Sequence, residues 1–276
     1  MKKILFFGLL SVMLLSSCNS YNTILKTQDY DYKYEAAKEY YASGQYTKAY
    51  QLLEELTIVL KGSDRGEESF FMLGMCYYGL HDYETAALYL ERYVKTYSKG
   101  EYAELARFYC GKASYLQSPD ARLDQSPTYA AITQLQEFLD FYPYSDMRGE
   151  VNDMIFELQD RLVQKEFDSA ELYYNLGSYT GNCTNGGSNF EACIITAENA
   201  LKSYPYTTLR EDLYIMILRA RYQLANRSVD EKLDERYRQT IDEYYGFKNE
   251  FPDSKYIKEA DNIFKHASSR VKNTED

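Results

Sequence analysis

The residue that most clearly invites chemistry in this sequence is Cys18, and the chemistry would be done to it. It closes Leu15-Ser16-Ser17-Cys18, which resembles the bacterial lipobox, where the cysteine is acylated and becomes the first residue of the exported chain. Lys2 and Lys3 followed by an apolar run from Ile4 to Leu15 complete a secretory signal. A dozen apolar residues are too few to cross a hydrocarbon core of about 30 Å as a helix, so the segment reads as a cleaved signal and not an anchor. We therefore expect residues 1–17 to be a signal peptide and 18–29 a lipid-anchored tether, held by several acyl chains where one would bind only marginally. The alternative is an ordinary signal peptide with a chance cysteine. Asn19 to Asn22 carry no acidic run, so the exported chain is expected to face the periplasm.

Elsewhere the reactive types are few and badly placed for catalysis. His81 and His266 lie far apart, and no His/Cys pair has metal-ligand spacing. There is no nucleophile elbow and no phosphate-cradling glycine motif. Gly181 to Ser188 is rich in Gly and Asn, but no strand precedes it and no Lys lies in it, so it reads as a hairpin loop. The acidic pairs Glu54-Glu55 and Glu67-Glu68 are adjacent on a helix, point different ways, and read as solvated surface. Cys76 and Cys110 fall where small buried residues are expected. Cys183 and Cys193 flank the Gly-rich loop in a compartment that can be oxidising, and a disulfide there would contribute about 2–3 kcal/mol; Cys193 equally suits a small core position. The reading is of a binding scaffold, not an enzyme, with no cofactor and no metal. Loss of Lys2 and Lys3 with the signal takes the net charge from −11 to −13, which argues against nucleic acid as a partner.

The elements that carry these residues are helices in a repeat. Tyr34, Phe71 and Phe108 are spaced by 37, as are Tyr41, Tyr78 and Tyr115, and between them Ala37, Gly74 and Gly111. Ala49 and Ala86, then Leu53 and Leu90, keep the same step, and an insertion of eight displaces the third copy to Ala131 and Leu135. This is the tetratricopeptide pattern: a small residue midway along helix A, aromatics after it, and an alanine opening helix B. The insertion, Gln117 to Thr128, holds two Ser-Pro steps and reads as a loop. Three helix-B segments end alike, at Tyr142-Pro143-Tyr144-Ser145, Tyr204-Pro205-Tyr206-Thr207 and Phe251-Pro252-Asp253-Ser254, where Pro stops one helix and Ser or Thr can cap the next.

The expected fold is therefore all-α, a tetratricopeptide superhelix over residues 30–268 with a flexible tail at 269–276. It comprises about five hairpins (30–60, 67–98, 102–142, 164–204 and 209–251), a linking helix at 147–162 and a final one at 255–268. In that framework helix A lines the concave side. Tyr34, Lys38 and Tyr41, then Phe71, Met75 and Tyr78, then Phe108, Lys112 and Tyr115, are the groove candidates. Either these aromatics are interior packing, or they form a ladder of rings whose two lysines supply counter-charge to an extended segment with aromatic side chains and a carboxylate.

The block Asp160-Arg161-Leu162, Glu166, Ala170 and Tyr173-Tyr174, followed by Tyr204-Pro205-x-Thr207, resembles the BamD lipoproteins of Gram-negative bacteria. So do the lipobox, the aromatic-Pro-x-Ser/Thr ends and the insertion in the third repeat, over about residues 18–225. The resemblance implies a lipid-anchored subunit on the periplasmic face of the outer membrane, within the machinery that assembles outer membrane β-barrels. It implies that the N-terminal repeats take the C-terminal signals of unfolded outer membrane proteins, and that the C-terminal repeats hold the periplasmic domains of a BamA-like β-barrel insertase. Arg148, Arg161, Arg210 and Arg219 lie in that second half. The loop from Thr180 to Asn189 and the length beyond about 228 depart from the family pattern. Two other classes share the bulk properties: a periplasmic tetratricopeptide adaptor for envelope enzymes, and a SusD-like glycan-binding lipoprotein. The second usually relies on a longer chain and on Trp, of which this sequence has none.

Overall fold

A computed structural model describes residues 21–177, 179 and 188–271. The signal peptide, Cys18 and Cys183 lie outside the described residues, as does the Gly-rich loop apart from Ser188. Every regular element described is helical: residues 21–26 (α1), Tyr30–Ala42 (α2), Tyr46–Val59 (α3), Asp64–Gly79 (α4), Tyr83–Thr96 (α5), Ala103–Gln117 (α6), Ser126–Phe141 (α7), Arg148–Leu176 (α8), Asn189–Ser203 (α9), Arg210–Asn226 (α10), Asp230–Glu250 (α11) and Ile257–Ser268 (α12). They pack in sequence as hairpins, the all-α tetratricopeptide-like class the spacing predicts. The chain forms two compact units. Unit 1 runs up to Pro119 and includes Gln125–Ile155; unit 2 takes in Asp120–Asp124 and Phe156 onward.

The repeat positions are the interior of unit 1. Ala49, Ala86 and Ala131 are fully buried, and so are Leu53, Leu90 and Leu135. Between them the small helix-A residues let paired helices close up: a Cβ on Gly74 would stand 2.8 Å from Leu90 Cδ2, and one on Gly111 2.7 Å from Leu135 Cδ2. Side-chain oxygens start several of these helices. Asp29 accepts from Tyr32 N, Ser63 from Gly66 N and Asp82 from Thr85 N. The α2–α3 and α4–α5 turns are copies of one another, with Gly44 at φ +72° and, 37 residues on, His81 at φ +61°. His81 sits in the turn the repeat assigns it, its Nδ1 2.7 Å from Tyr83 Oη.

That left-handed conformation gives a test of the turn. Gly44→Ala is expected to lower stability by about 1 kcal/mol, because a side chain gains strain there, while His81→Gly is neutral or stabilising. Urea midpoints of the two variants moving together in the same direction would contradict the assignment.

Four expectations are corrected. The linking helix and the first helix of the fourth hairpin are one 29-residue helix, α8. Nothing breaks it, since Leu162-Val163-Gln164 contains neither Gly nor Pro and Val163 is fully buried. The tether is partly structured, because residues 21–26 are helical and Ile24 is buried in the core of the first hairpin. The insertion loop is shorter than 117–128: α7 already begins at Ser126 with Pro127 in its first turn. At the other end, Val271 packs with Ala225, Tyr237 and Ala267, so the chain is held as far as 271, and the rest of the expected tail lies outside the described residues.

The cores of unit 2 follow the same logic. Cys193, Ala197, Leu213, Ile217 and Ala220 are buried between α8, α9 and α10. Phe247, Ala260 and Ile263 close α10, α11 and α12. Asn189 Nδ2 donates to the carbonyls of Gly177 (3.1 Å) and Tyr179 (2.9 Å), tying the end of α8 to the start of α9.

Candidate binding face on the first unit

The nine groove candidates divide by burial. Tyr34, Phe71 and Phe108 are 3, 7 and 3 % exposed. They are packing: Phe71 stacks on Tyr102 with centroids 4.6 Å apart, and Phe108 meets Phe138 edge-on at 5.8 Å. They form the floor of the face and present no free ring. Tyr41, Met75, Tyr78 and Tyr115 remain half-buried and presented. Tyr109, which the repeat spacing does not single out, joins them. It lies edge-on to both Tyr78 (5.1 Å) and Phe108 (5.2 Å).

The two lysines are not free counter-charges. Lys38 Nζ lies 2.8 Å from Glu68 Oε1, and Lys112 Nζ lies 2.6 Å from Glu150 Oε1. Tyr34 Oη also donates to Glu68. Each pair joins one helix A to the next, α2 to α4 and α6 to α8. The acidic pairs are likewise not mere solvated surface. Glu55 accepts from Lys33, Glu54 from Tyr77, and Glu67 from Tyr93 Oη (2.5 Å) and the Glu101 amide (2.8 Å).

These contacts set the protonation of the face. Burial raises the Tyr34 phenol, hydrogen bonding to Glu68 adds to it, and the group is pushed up to about 12 despite Lys38. Burial likewise pushes Tyr41 up to about 12 and raises Tyr78, against the opposing pull of Lys112. Tyr34, Tyr41 and Tyr78 therefore stay neutral at physiological pH, and the face offers ring faces and hydroxyl donors. Glu68 is held below its ordinary value: burial works against this, but the hydrogen bonds from Lys38 and Tyr34 outweigh it. A depressed carboxyl contributes stability above its unfolded pKa of about 4.3 and loses it as the pH falls through the lower folded value. We expect the acid limb of a urea-midpoint profile to flatten below about pH 4.3 in Glu68→Gln. A variant profile parallel to wild type throughout would show that the pair carries no such linkage.

Burial pushes the thiols of Cys76, Cys110 and Cys193 each up to about 12. Cys193 is a buried free thiol in α9, and its suggested partner Cys183 lies outside the described residues. Among the described residues no group of three or more His, Cys, Asp or Glu is placed to hold a metal, and no helix is long and apolar enough to cross a membrane. His266 Nδ1 lies 3.0 Å from Tyr222 Oη.

A concavity of about 440 Å³ lies between α5, α6 and α7. There the Arg107 guanidinium sits 3.8 Å from the exposed Phe141 ring and makes one 3.3 Å contact with Glu137. The corresponding cavity of unit 2, between α9, α10 and α11, is neutralised. Its Arg221 is held by Glu198 (2.5 Å) and Glu243 (2.8 Å).

Unit 2 also accounts for the motif residues. Asp160 accepts from Thr207 Oγ1 (2.7 Å) and Thr208 Oγ1 (2.5 Å), so Asp160 and the Tyr-Pro-x-Thr end lock the α9–α10 connection to α8. Of the four arginines, Arg219 is spent on a two-pronged pair with Glu259 (2.7 and 2.6 Å) and Arg210 on Glu250 (2.9 Å). Arg161 lies 3.4 Å from Glu157, and Arg148 is exposed.

No curated protein matches this chain significantly. Residues 27–184 match the family described as YfiO, outer membrane lipoprotein. The match covers more than half of the 276 residues, from just before α2 to beyond α8, and stops short of the Tyr204–Thr207 end. The chain therefore belongs to the YfiO family of outer membrane lipoproteins.

Proposed function

We propose that this lipoprotein is a scaffold subunit of the β-barrel assembly machinery, anchored by acyl chains on Cys18 at the periplasmic face of the outer membrane. Unit 1 takes the aromatic C-terminal signals of unfolded outer membrane proteins along Tyr41, Tyr78 and Tyr109. Unit 2 holds the periplasmic domains of a BamA-like insertase. The observation that carries the reading is the family match across unit 1 and α8. The half-buried row of tyrosines supports the substrate part of it.

The work is done by affinity and position, without making or breaking a bond. Fixing a substrate-binding face to the membrane raises the local concentration of substrate near the insertase. Because Lys38 and Lys112 are already paired, recognition falls to the rings and their hydroxyls. The test is affinity purification of the tagged, lipidated protein from its own outer membrane in mild detergent. Stoichiometric recovery of a large β-barrel with tandem periplasmic domains is expected. Recovery of a glycan transporter or a wall hydrolase in its place would overturn the assignment.

A further inference from the structure

We propose that the α2–α3 turn of the first hairpin is a membrane-contact surface, seated on the headgroups of the leaflet that holds the lipid anchor. The inference rests on the reading of Cys18 as the acylated residue.

Helix α1 is clamped to the first hairpin at both ends. Tyr21 Oη donates to Gln51 Oε1 at 2.6 Å, its ring meets Tyr40 edge-on at 5.6 Å, and Lys48 Nζ lies over both rings at 5.9 and 5.1 Å. At the far end Lys33, only 1 % exposed, donates from Nζ to the Leu25 carbonyl (3.1 Å) and to Glu55 Oε2 (2.5 Å). Leaving such a buried ammonium unpartnered is costly, so Leu25 is held. Ile24 fills the space between. Helix α1 therefore runs beside the hairpin with Tyr21 at the turn end, beside Tyr40 and Lys48.

Only Asn19 and Ser20 separate Tyr21 from Cys18. Three Cα steps span at most about 11 Å, where a free tether ending at Asp29 would reach about 40 Å. A headgroup layer is itself roughly 5–7 Å deep. The α2–α3 turn, with Tyr21, Tyr40, Tyr46 and Lys48 around it, is thus kept in or within a few ångströms of the interface, where Tyr and Lys serve as anchors. The α4–α5 turn continues the surface. Tyr46 lies against Gly79, and Leu80 beside it is 39 % exposed. The opposite end of the hairpin, at Lys61, stands further out by as much as about 20 Å, the length of a 13-residue helix.

The full lipidated protein is reconstituted in vesicles containing headgroup-nitroxide lipids, in a Cys183→Ser background, with a fluorophore attached at Ser43→Cys or at Lys61→Cys. The label at 43 is expected to lose most of its emission and the label at 61 to keep most of it. Ten Gly/Ser residues inserted between Ser20 and Tyr21 leave the α1 clamp intact and add about 17 Å of reach. They are expected to bring emission at 43 back toward that at 61. Equal quenching at the two sites in acylated protein, or a signal at 43 indifferent to the linker, would overturn the surface. An N-terminal peptide that carries no acyl chains by mass spectrometry would overturn the anchored reading and the surface with it.

Discussion

Phe138→Ala is expected to remove about 3–5 kcal/mol from unit 1. Phe138 is fully buried in α7, edge-on to Phe108 at 5.8 Å and tilted against Tyr142 at 5.5 Å. It lies five residues before Pro143, as Phe247 lies five before Pro252, and Phe247 is fully buried too. The same large ring therefore closes the end of a helix B in each unit, and truncating it leaves a cavity that flanking helices fill only in part. Phe141→Ala, one turn on and 64 % exposed, is the control and should cost about 1 kcal/mol or less, chiefly its contact with Arg107. Hydrogen exchange read against urea should place the Phe138→Ala loss in α6–α7 and that of Phe247→Ala in α11–α12. A loss under about 1 kcal/mol for Phe138→Ala would mean that the ring is not the closing element.

Burial at Phe138 was legible because the repeat marks it: Tyr93 precedes it by 37 plus the insertion of eight, and Tyr93 is fully buried as well. Spacing reports what the repeat demands of every copy, and interior packing is such a demand. Polar partnerships vary from copy to copy, so they are harder to read. Even so, Lys38 and Glu68 are 30 apart, and Lys112 and Glu150 are 38 apart, the same offset plus the insertion. The middle copy has Met75 and Leu105 at these positions, which hides the pattern.

The continuity of α8 escaped for a different reason. Hairpin logic asks for a break between repeats, and only the absence of Gly and Pro near Val163 speaks against one. The clamping of α1 depends on Lys33, a charged residue whose type alone would place it in solvent. Its burial becomes intelligible only when the Leu25 carbonyl and Glu55 are seen beside it.

Removing the rings of the binding face is expected to weaken substrate capture most. For a ten-residue peptide of alternating apolar pattern ending in Phe, Tyr41→Ala and Tyr78→Ala should each cost about 1–2 kcal/mol, roughly 5- to 30-fold in Kd. The double variant should cost less than their product, because both rings belong to one face. Tyr41 packs on Tyr46 at 6.0 Å and Tyr78 on Tyr109 at 5.1 Å, so truncation also loosens neighbours. Tyr78→Phe separates the two effects, keeping the ring and its packing while removing one hydroxyl donor; it should bind within a few-fold of wild type. Lys38→Gln should likewise change Kd less than loss of either ring, and binding should vary little with salt, since that ammonium is already matched by Glu68. Fluorescence anisotropy on variants that melt like wild type decides the matter. Wild-type Kd in both alanine variants would remove the tyrosine row from the binding site. A Kd that rises steeply with salt and with Lys38→Gln would instead hand recognition back to the charges.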